Sequence, residues 1–439
     1  MLTRRQFLGQ AALAAWLYPN KIIALKSNFS AASTPLVEFI WSGGVTPTSA
    51  MIKAKLRIDS SAVRLRLSRQ PDLSDPIFSE MQTASLAANN RIVSIPMTGL
   101  SPNTAYYYAV EADGLVDTIY WGKLTTFPEG AASFMVAFGS CAETGSNHPI
   151  FETIRNLSPL FFIHTGDMHY LDISTNDRNR FRQAYEMVLA SPGQASLYRV
   201  TPLVYIWDDH DFGPNDSDGS APGREAARLT YQEYVPHYPL AAGSGDVPIY
   251  HAFTVGRVRF IVTDLRSERS PKNAPDDASK SMLGLAQKAW FKQELLNAKT
   301  TYPLVVWVSS CDWIPNLSDG WHLYSSERRE IANFLKENRI TNLIMLAGDL
   351  HMLGIDNGSN ADFASGGGAG FPVMQASPLD RFGLEAEAPY SQGVVARRGQ
   401  FGIMNVIDEG GSTIKVEWSG RSWTNEEILA YSFIIGNES

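Results

Sequence analysis

The chain is 439 residues long, 44% hydrophobic and 19% charged, and its 37 Lys and Arg against 45 Asp and Glu leave a formal net charge of -8. That length accommodates two domains with well-buried cores, while an acidic balance with no basic block beyond the first few residues argues against nucleic-acid binding. The two cysteines, Cys141 and Cys311, are too few for a disulfide framework.

Thr3-Arg4-Arg5-Gln6-Phe7-Leu8, followed by the apolar stretch from Ala11 to Leu17, makes residues 1–32 resemble a twin-arginine export signal. The apolar stretch is short for a membrane span; an amphipathic N-terminal helix is the alternative. Export by this route implies the twin-arginine translocation machinery as a partner and a periplasmic, cell-surface or secreted protein, with cleavage between residues 15 and 32. Because the route carries folded proteins and Cys141 sits at a strand tip, a ligand role is favoured for Cys141 over a bridge.

Over residues 33–128 alternations such as Val63-Arg64-Leu65-Arg66-Leu67 and Arg91-Ile92-Val93-Ser94-Ile95 predict a small all-β sandwich. Leu100-Ser101-Pro102-Asn103-Thr104-Ala105-Tyr106, preceded by Gly99, resembles the corner of fibronectin type III domains, in which a tyrosine hydroxyl pins the turn. The consecutive Tyr106, Tyr107 and Tyr108 would split between core and surface at strand spacing.

Residues 128–133 read as a linker, and strands then alternate with helices through residues 129–439, the pattern of an α/β domain. Helices are predicted over 178–189, 224–235, 285–298 and 326–338, the last capped by Ser326 and turning Ile331, Phe334 and Leu335 inward. Val255-Gly256-Arg257 reads as a hairpin turn. Gly366-Gly367-Gly368-Ala369-Gly370 lacks the Lys-Ser/Thr of a phosphate loop and reads as a flexible loop. Strands near 401–407 and 413–418 should complete a second sheet.

The chemistry gathers at strand ends. Phe134-Met135-Val136-Ala137-Phe138 runs into Gly139-Ser140-Cys141, and Leu160-Phe161-Phe162-Ile163-His164 into Thr165-Gly166-Asp167-Met168-His169-Tyr170. Leu203-Val204-Tyr205-Ile206-Trp207 runs into Asp208-Asp209-His210-Asp211, and Leu343-Ile344-Met345-Leu346-Ala347 into Gly348-Asp349-Leu350-His351. Short β-branched and aromatic runs ending in acids read as buried strands delivering carboxylates to the carboxyl edge of a sheet, where open α/β sheets keep their chemistry. Several like charges at one point repel unless a cation neutralises them, so the cluster argues for bound metal. A hard ion such as Fe(III) suits a phenolate and carboxylates, and a thiolate would also bind it. Two ions can clamp a phosphate and turn a water into a nucleophile, and His210 is poised as a general acid.

Gly-Asp-x-x-Tyr, Trp-Asp-Asp-His-Asp and Gly-Asp-x-His together resemble the metallophosphoesterase superfamily, and specifically its alkaline phosphatase D (PhoD-like) family. Val262-Thr263-Asp264-Leu265-Arg266, Leu283-Gly284-Leu285-Ala286-Gln287 with Trp290, and Asp319-Gly320-Trp321 leading to Glu327-Arg328 agree with it. The resemblance implies an α/β (α+β) metallophosphoesterase-like β-sandwich flanked by helices and preceded by a fibronectin type III-like domain. It implies that Cys141, Asp167, Tyr170 and His351 hold an Fe(III)-like ion, and that Asp167 bridges to one or two Ca(II) ions with Asp209 and Asp349. It gives His210 the acid role and Asn215 a metal or phosphate contact. The superfamily's histidine before the last motif is missing, since Val308-Ser309-Ser310-Cys311-Asp312 stands there, and this suits an oxygen-preferring ion such as Ca(II). The implied activity is hydrolysis of phosphomonoesters, and also of diesters, with small phosphate esters as partners and a monomeric protein. A phosphodiesterase or phospholipase D-like hydrolase, or a non-catalytic binding protein, is the alternative.

At the remaining positions, His164 and His169 read as structural, and Cys311 as a small buried hydrophobe. Asp208 would orient its neighbour and Arg266 would pair with Asp264. Asp216 and Asp218 read as solvated loop acids, with an extra calcium ligand among them as the alternative.

Overall fold

The computed structural model describes residues 29–317, 319–384 and 386–436. The arginine pair and apolar stretch read as an export signal lie outside the described residues. The described chain already enters a sheet at Ser30–Ala31, which pairs in parallel with Leu115–Val116, ahead of the sandwich start expected at residue 33. No helix among the described residues is long and apolar enough to cross a membrane.

The first part of the chain is all-β apart from one short helical turn, Leu86–Asn89. One of its sheets runs Ser30–Ala31, Leu115–Val116, Ala105–Ala112, Ser60–Ser68 and Ile77–Phe78, with Gly122–Thr125 and Gln82–Ala84 joined on. Val63, Leu65 and Leu67 are buried, as the alternation requires. The Tyr106 hydroxyl accepts a hydrogen bond from the Ser101 N–H at 3.0 Å and closes the corner. Tyr106 and Tyr108 are buried while Tyr107 is half-buried, the period-two split of a strand.

The remaining strands of this part are Val37–Gly43, Ser49–Leu56 and Ile92–Thr98, whose buried residues share a core with those of the first sheet. They extend a nine-stranded sheet whose other members are Leu203–Tyr205, Phe161–His164, Phe134–Gly139, Gln400–Ile407, Thr413–Ser422 and Glu427–Gly436. The junction is the parallel pairing of Gly43 with Leu203. Glycine is required there, because a Cβ would stand 2.2 Å from the Pro236 carbonyl oxygen and 2.5 Å from that of Leu203. One hydrophobic core accordingly runs from Val37 and Trp41 through Phe161 to Trp418.

A third sheet, ordered His251–Val255, Val258–Val262, Leu304–Ser309, Leu343–Ala347, Val373–Ala376, Leu353–Asp356 and Val394–Val395, packs against the nine-stranded one. Rings mark the contact: Phe161 meets Phe260 edge-on at 5.5 Å and Phe253 at 5.8 Å. Burying a side chain such as Phe161 completely is worth roughly 1.5–3 kcal/mol. The hairpin predicted at Gly256 joins the first two of these strands.

Helices cover the outer faces. Asp177 caps Arg178–Leu189 through the Asn179 N–H at 2.9 Å. Phe291 of Leu285–Thr301 lies 4.6 Å from Trp307, ring to ring. The helix predicted from 326 begins one residue earlier, as Ser325–Glu337, and Ser326 is not its cap. Asp276, from a distant loop, accepts the N–H groups of Ser325 at 3.0 Å and Ser326 at 3.2 Å instead, a contact with no local sequence signature. The glycine-rich loop turns its Gly368 and Ala369 N–H groups onto the chain's own Asp362 carboxylate, so it is pinned rather than loose.

Phe134–Gly139, Phe161–His164 and Leu203–Tyr205 are parallel, as are Val258–Val262, Leu304–Ser309, Leu343–Ala347 and Val373–Ala376. Their carboxyl ends open on one edge of the sandwich. That edge carries every residue singled out from the strand tips.

Candidate active site and metal centre

The turns leaving the strands are bent in a way side chains resist. Cys141, Asp167 and Asp349 adopt left-handed backbone with φ of 63°, 56° and 70°. Non-glycine residues avoid this region unless the surroundings hold them there, and such residues gather at functional sites. The bend turns three strand tips, two from the nine-stranded sheet and one from the sheet packed on it, toward one point.

Cys141, Asp167 and His351 bring one ligand atom each within 4.8 Å of one another, and so do Asp167, Asp208, Asp209 and Asp349. Asp167 belongs to both groups. The Tyr170 hydroxyl donates to Asp167 Oδ2 at 2.8 Å and lies 3.3 Å from His351 Nε2, while Cys141 Sγ lies 3.5 Å from Asp167 Oδ2. His351 Nδ1 faces the Phe382 carbonyl oxygen at 2.8 Å. A carbonyl only accepts, so Nδ1 carries the proton and Nε2 turns its lone pair into the site. Burial also pushes the His351 pKa down, which keeps the ring neutral.

The electrostatics fit a cation. Asp167 Oδ1, Asp208 Oδ2, Asp209 Oδ1 and Asp349 Oδ2 are buried without a hydrogen-bond partner. Burial first, then the Asp209, Asp208 and Asp211 charges, push the Asp167 carboxyl well above its usual range. Burial and then Asp208, Asp319 and Asp209 do the same to Asp349. The Cys141 thiol is raised by burial and by Asp167 and Asp349, and the Tyr170 phenol by burial and by Asp167 and Cys141. These acids oppose one another's ionisation, and a bound cation would reverse that sign. Orphaned oxygens, a thiol, a phenol and a neutral imidazole around a shared carboxylate are a donor set for metal.

His210 is the second residue of the one-turn helix Asp209–Phe212, and its Nδ1 lies 2.5 Å from Asp172 Oδ1. That leaves Nε2 to serve the site. Tyr170 meets the His210 ring at 4.2 Å. Asp167, Asp209, His210, Asn215, Asp349 and His351 line one pocket, with Asn215 on its exposed lip. The structure therefore brings together all eight residues proposed from sequence, with Cys141 and Tyr170 packed against Asp167.

Other readings change. Arg266 does not make its ion pair with Asp264: its Nε meets Asp208 Oδ1 at 2.6 Å and its Nη1 meets Asp319 Oδ2 at 2.5 Å. Asp264 is already engaged by Trp207 Nε1 and the Ile249 N–H, both at 2.9 Å. Cys311 is buried in a hydrophobic cluster as read, and polar groups also reach its sulfur, Arg266 Nη2 at 3.3 Å and Asp208 Oδ1 at 3.5 Å. Both cysteines are free. Asp216 is half-buried; it donates its N–H to Asp209 Oδ2 at 2.6 Å and pairs with Lys272. His164 and His169 are buried and held uncharged, their pKa values lowered to about 3 chiefly by burial.

Sequence reasoning missed Asp172 and the 379–384 segment, and gave Asp319, though part of a matching motif, no role of its own. Asp172 had a faint signal, an acid just past Gly-Asp-x-x-Tyr. The segment had none, because it is held to the site from far away in sequence: Leu379 N–H meets Ser140 O and Leu384 N–H meets His351 O, both at 2.8 Å, and the Arg381 guanidinium lies over the Tyr170 ring.

The family model of the PhoD-like phosphatases matches residues 134–417, which holds every one of these strand tips. The chain belongs to the PhoD-like phosphatase family. Within that family it is 24% identical over 323 residues to alkaline phosphatase D of Bacillus subtilis (strain 168), a match covering 62% of this chain and 54% of that one. The chain thus spans about half the length of this curated relative. A solved structure of PhoD superposes with a TM-score of 0.73 at 18% identity, covering 94% of this chain and 92% of that one, a likeness of fold. The family model starts at Phe134, whereas the likeness of fold, over 94% of the chain, also takes in strands before it.

Proposed function

We propose that this PhoD-like chain is a metal-dependent phosphohydrolase that cleaves phosphomonoesters, and diesters in the same site, with water as the nucleophile. The observation that carries the reading is the sharing of Asp167 between a mixed sulfur, oxygen and nitrogen group and an all-carboxylate group. Cys141, Asp167, Tyr170 and His351 would hold an Fe(III)-like ion, and Asp167, Asp209 and Asp349 one or two Ca(II) ions, since oxygen donors suit a hard cation. Bound there, the ions would neutralise phosphoryl charge and lower the pKa of an attacking water.

The chain's own groups supply the rest. Asp172 fixes the His210 tautomer through Nδ1, so that Nε2 can pass a proton to the departing alcohol oxygen. Asn215, on the lip, would orient a phosphoryl oxygen. Arg266 satisfies Asp208 and Asp319 internally, which leaves Asp209 and Asp349 free to face the ions. We further propose export by the twin-arginine route, an N-terminal domain of fibronectin type III kind, and a monomer. Metal analysis of purified protein, with turnover on a nitrophenyl monoester and a bis-nitrophenyl diester, tests the reading. Metal-dependent release of nitrophenol is expected, and metal-free protein of full activity would overturn it.

A further inference from the structure

The pocket over the candidate ligands has a volume of about 190 Å³. That is small beside the roughly 300–1,000 Å³ of pockets that enclose a whole small molecule. A phosphoryl group and the ions would occupy it, which would leave the organic part of an ester across the rim.

The rim has two characters. Beside Asp209 it is polar, formed by Asn215 and by Asp216 with its Lys272 partner. Beside His351 it is apolar: Leu384 lines the pocket at 41% exposure, and Phe382, two residues earlier, is 77% exposed. Single exposed apolar residues need no explanation, but the backbone under this pair is tied to the site. The Phe382 carbonyl holds His351 Nδ1 and the Leu384 N–H donates to the His351 carbonyl oxygen, each at 2.8 Å. Arg398 stands over the Phe382 ring at 5.5 Å from its centroid. Between the two apolar residues and Asp380, Arg381 is neutralised by Glu143 and lies 4.1 Å over the Tyr170 ring, the ring that also meets His210. The segment thus borders the part of the pocket where the acid would meet the leaving oxygen.

We infer that Phe382 and Leu384 form an apolar platform for the leaving group, so that the favoured substrates are phosphate esters of alkyl or aryl alcohols rather than of polyols or sugars. This rests on the reading of the chain as a phosphohydrolase. Each methylene laid on the platform raises kcat/KM by roughly twofold to fourfold, the scale of apolar surface taken from water. A hydroxylated leaving group gains nothing there and keeps its water.

The test compares n-hexyl phosphate, below its micelle-forming concentration, with glycerol 1-phosphate and methyl phosphate on the metal-loaded full chain. All three release primary alcohols, so their ratios report contact more than chemistry. The wild type should favour hexyl over glycerol phosphate by roughly 10- to 100-fold in kcat/KM. The Phe382→Ser/Leu384→Ser double variant should bring that ratio within about threefold of unity, mostly through KM, with metal content unchanged. Both side chains are exposed, so the fold does not depend on them. A wild-type ratio near one, or a ratio the double variant leaves intact, overturns the inference while the phosphohydrolase reading stands. Failure of the wild type to cleave any of the three, or a nitrophenyl ester, overturns that reading and this inference with it.

Discussion

On one side of Asp167 stand a thiol, a phenol and an imidazole; on the other stand the Asp209 and Asp349 carboxylates, with the Arg266 guanidinium behind them. The cation against the first side, Arg381, lies over the Tyr170 ring and is paired with Glu143. The thiol and phenol of that side are pushed toward their protonated forms by burial and by Asp167, so that side is built to be completed by an ion. The second side contains a cation already: Arg266, fully buried, spends its charge on Asp208 and Asp319 and stays 3.8 Å from Asp209. A guanidinium there lets the chain pack five aspartates at one edge while only some of them need metal. The difference teaches how one shared carboxylate could serve a soft-and-hard donor set and a purely hard one.

The largest effect should come from breaking what the two sides share. Asp167→Asn removes a ligand from both, and turnover should fall on the order of 10⁴-fold, with metal lost from both sides. Steady-state rates with metal analysis check this; retention of either metal at full stoichiometry would show that Asp167 does not bridge.

His210→Ala leaves both sides in place and tests the proton. Turnover on an alkyl phosphate should fall roughly 10²–10⁴-fold with metal retained, and the loss should shrink on a nitrophenyl ester, whose leaving group needs no proton. An equal loss on both esters would make His210 a stabiliser of phosphoryl charge, and loss of metal would make it a ligand.

Arg266→Met strips the second side of its built-in cation. Asp208 then loses its ionic partner and Asp319 keeps only Arg269, at 3.2 Å, at a cost of roughly 3–5 kcal/mol in folding stability. Denaturant titration measures it, and adding Asp208→Asn should recover part of the loss. A midpoint that does not move would show that the network is incidental.

Asp172→Asn should have the smallest effect, a drop of roughly 10- to 100-fold, the usual scale for a group that orients another. The drop should follow the leaving-group pattern of His210→Ala. If it is the same on alkyl and nitrophenyl esters, Asp172 does not act through His210.

Much of this was legible from the chain. Strand tips are readable because apolar runs ending in acids have few other uses, and the helix Arg178–Leu189 has the bounds its pattern predicts. The merging of the N-terminal strands with the phosphatase sheet was not, since it hangs on one pairing, Gly43 with Leu203, which leaves no periodic trace. Arg266 misled because Asp264 is its near neighbour in sequence, whereas its ionic partners, Asp208 and Asp319, are 58 and 53 residues away. Asp172 sits in a turn with φ of 47° that brings its carboxylate back to His210, a path no alternation announces. A residue that works through its own backbone, as Phe382 does through its carbonyl oxygen, is invisible to any reading of side-chain type, and Asp276 escaped notice because the Ser325 N–H it accepts lies 49 residues away.

The two-sided account is tested most directly by measuring iron, calcium and the visible spectrum of Tyr170→Phe and Asp209→Ala beside the wild type. Phenolate and thiolate bound to Fe(III) absorb visible light, so the wild type should be coloured. Tyr170→Phe should bleach or shift the band and keep calcium, whereas Asp209→Ala should keep the band and lose calcium. A colourless, iron-free wild type with full activity, or two variants that lose both metals alike, would contradict the account.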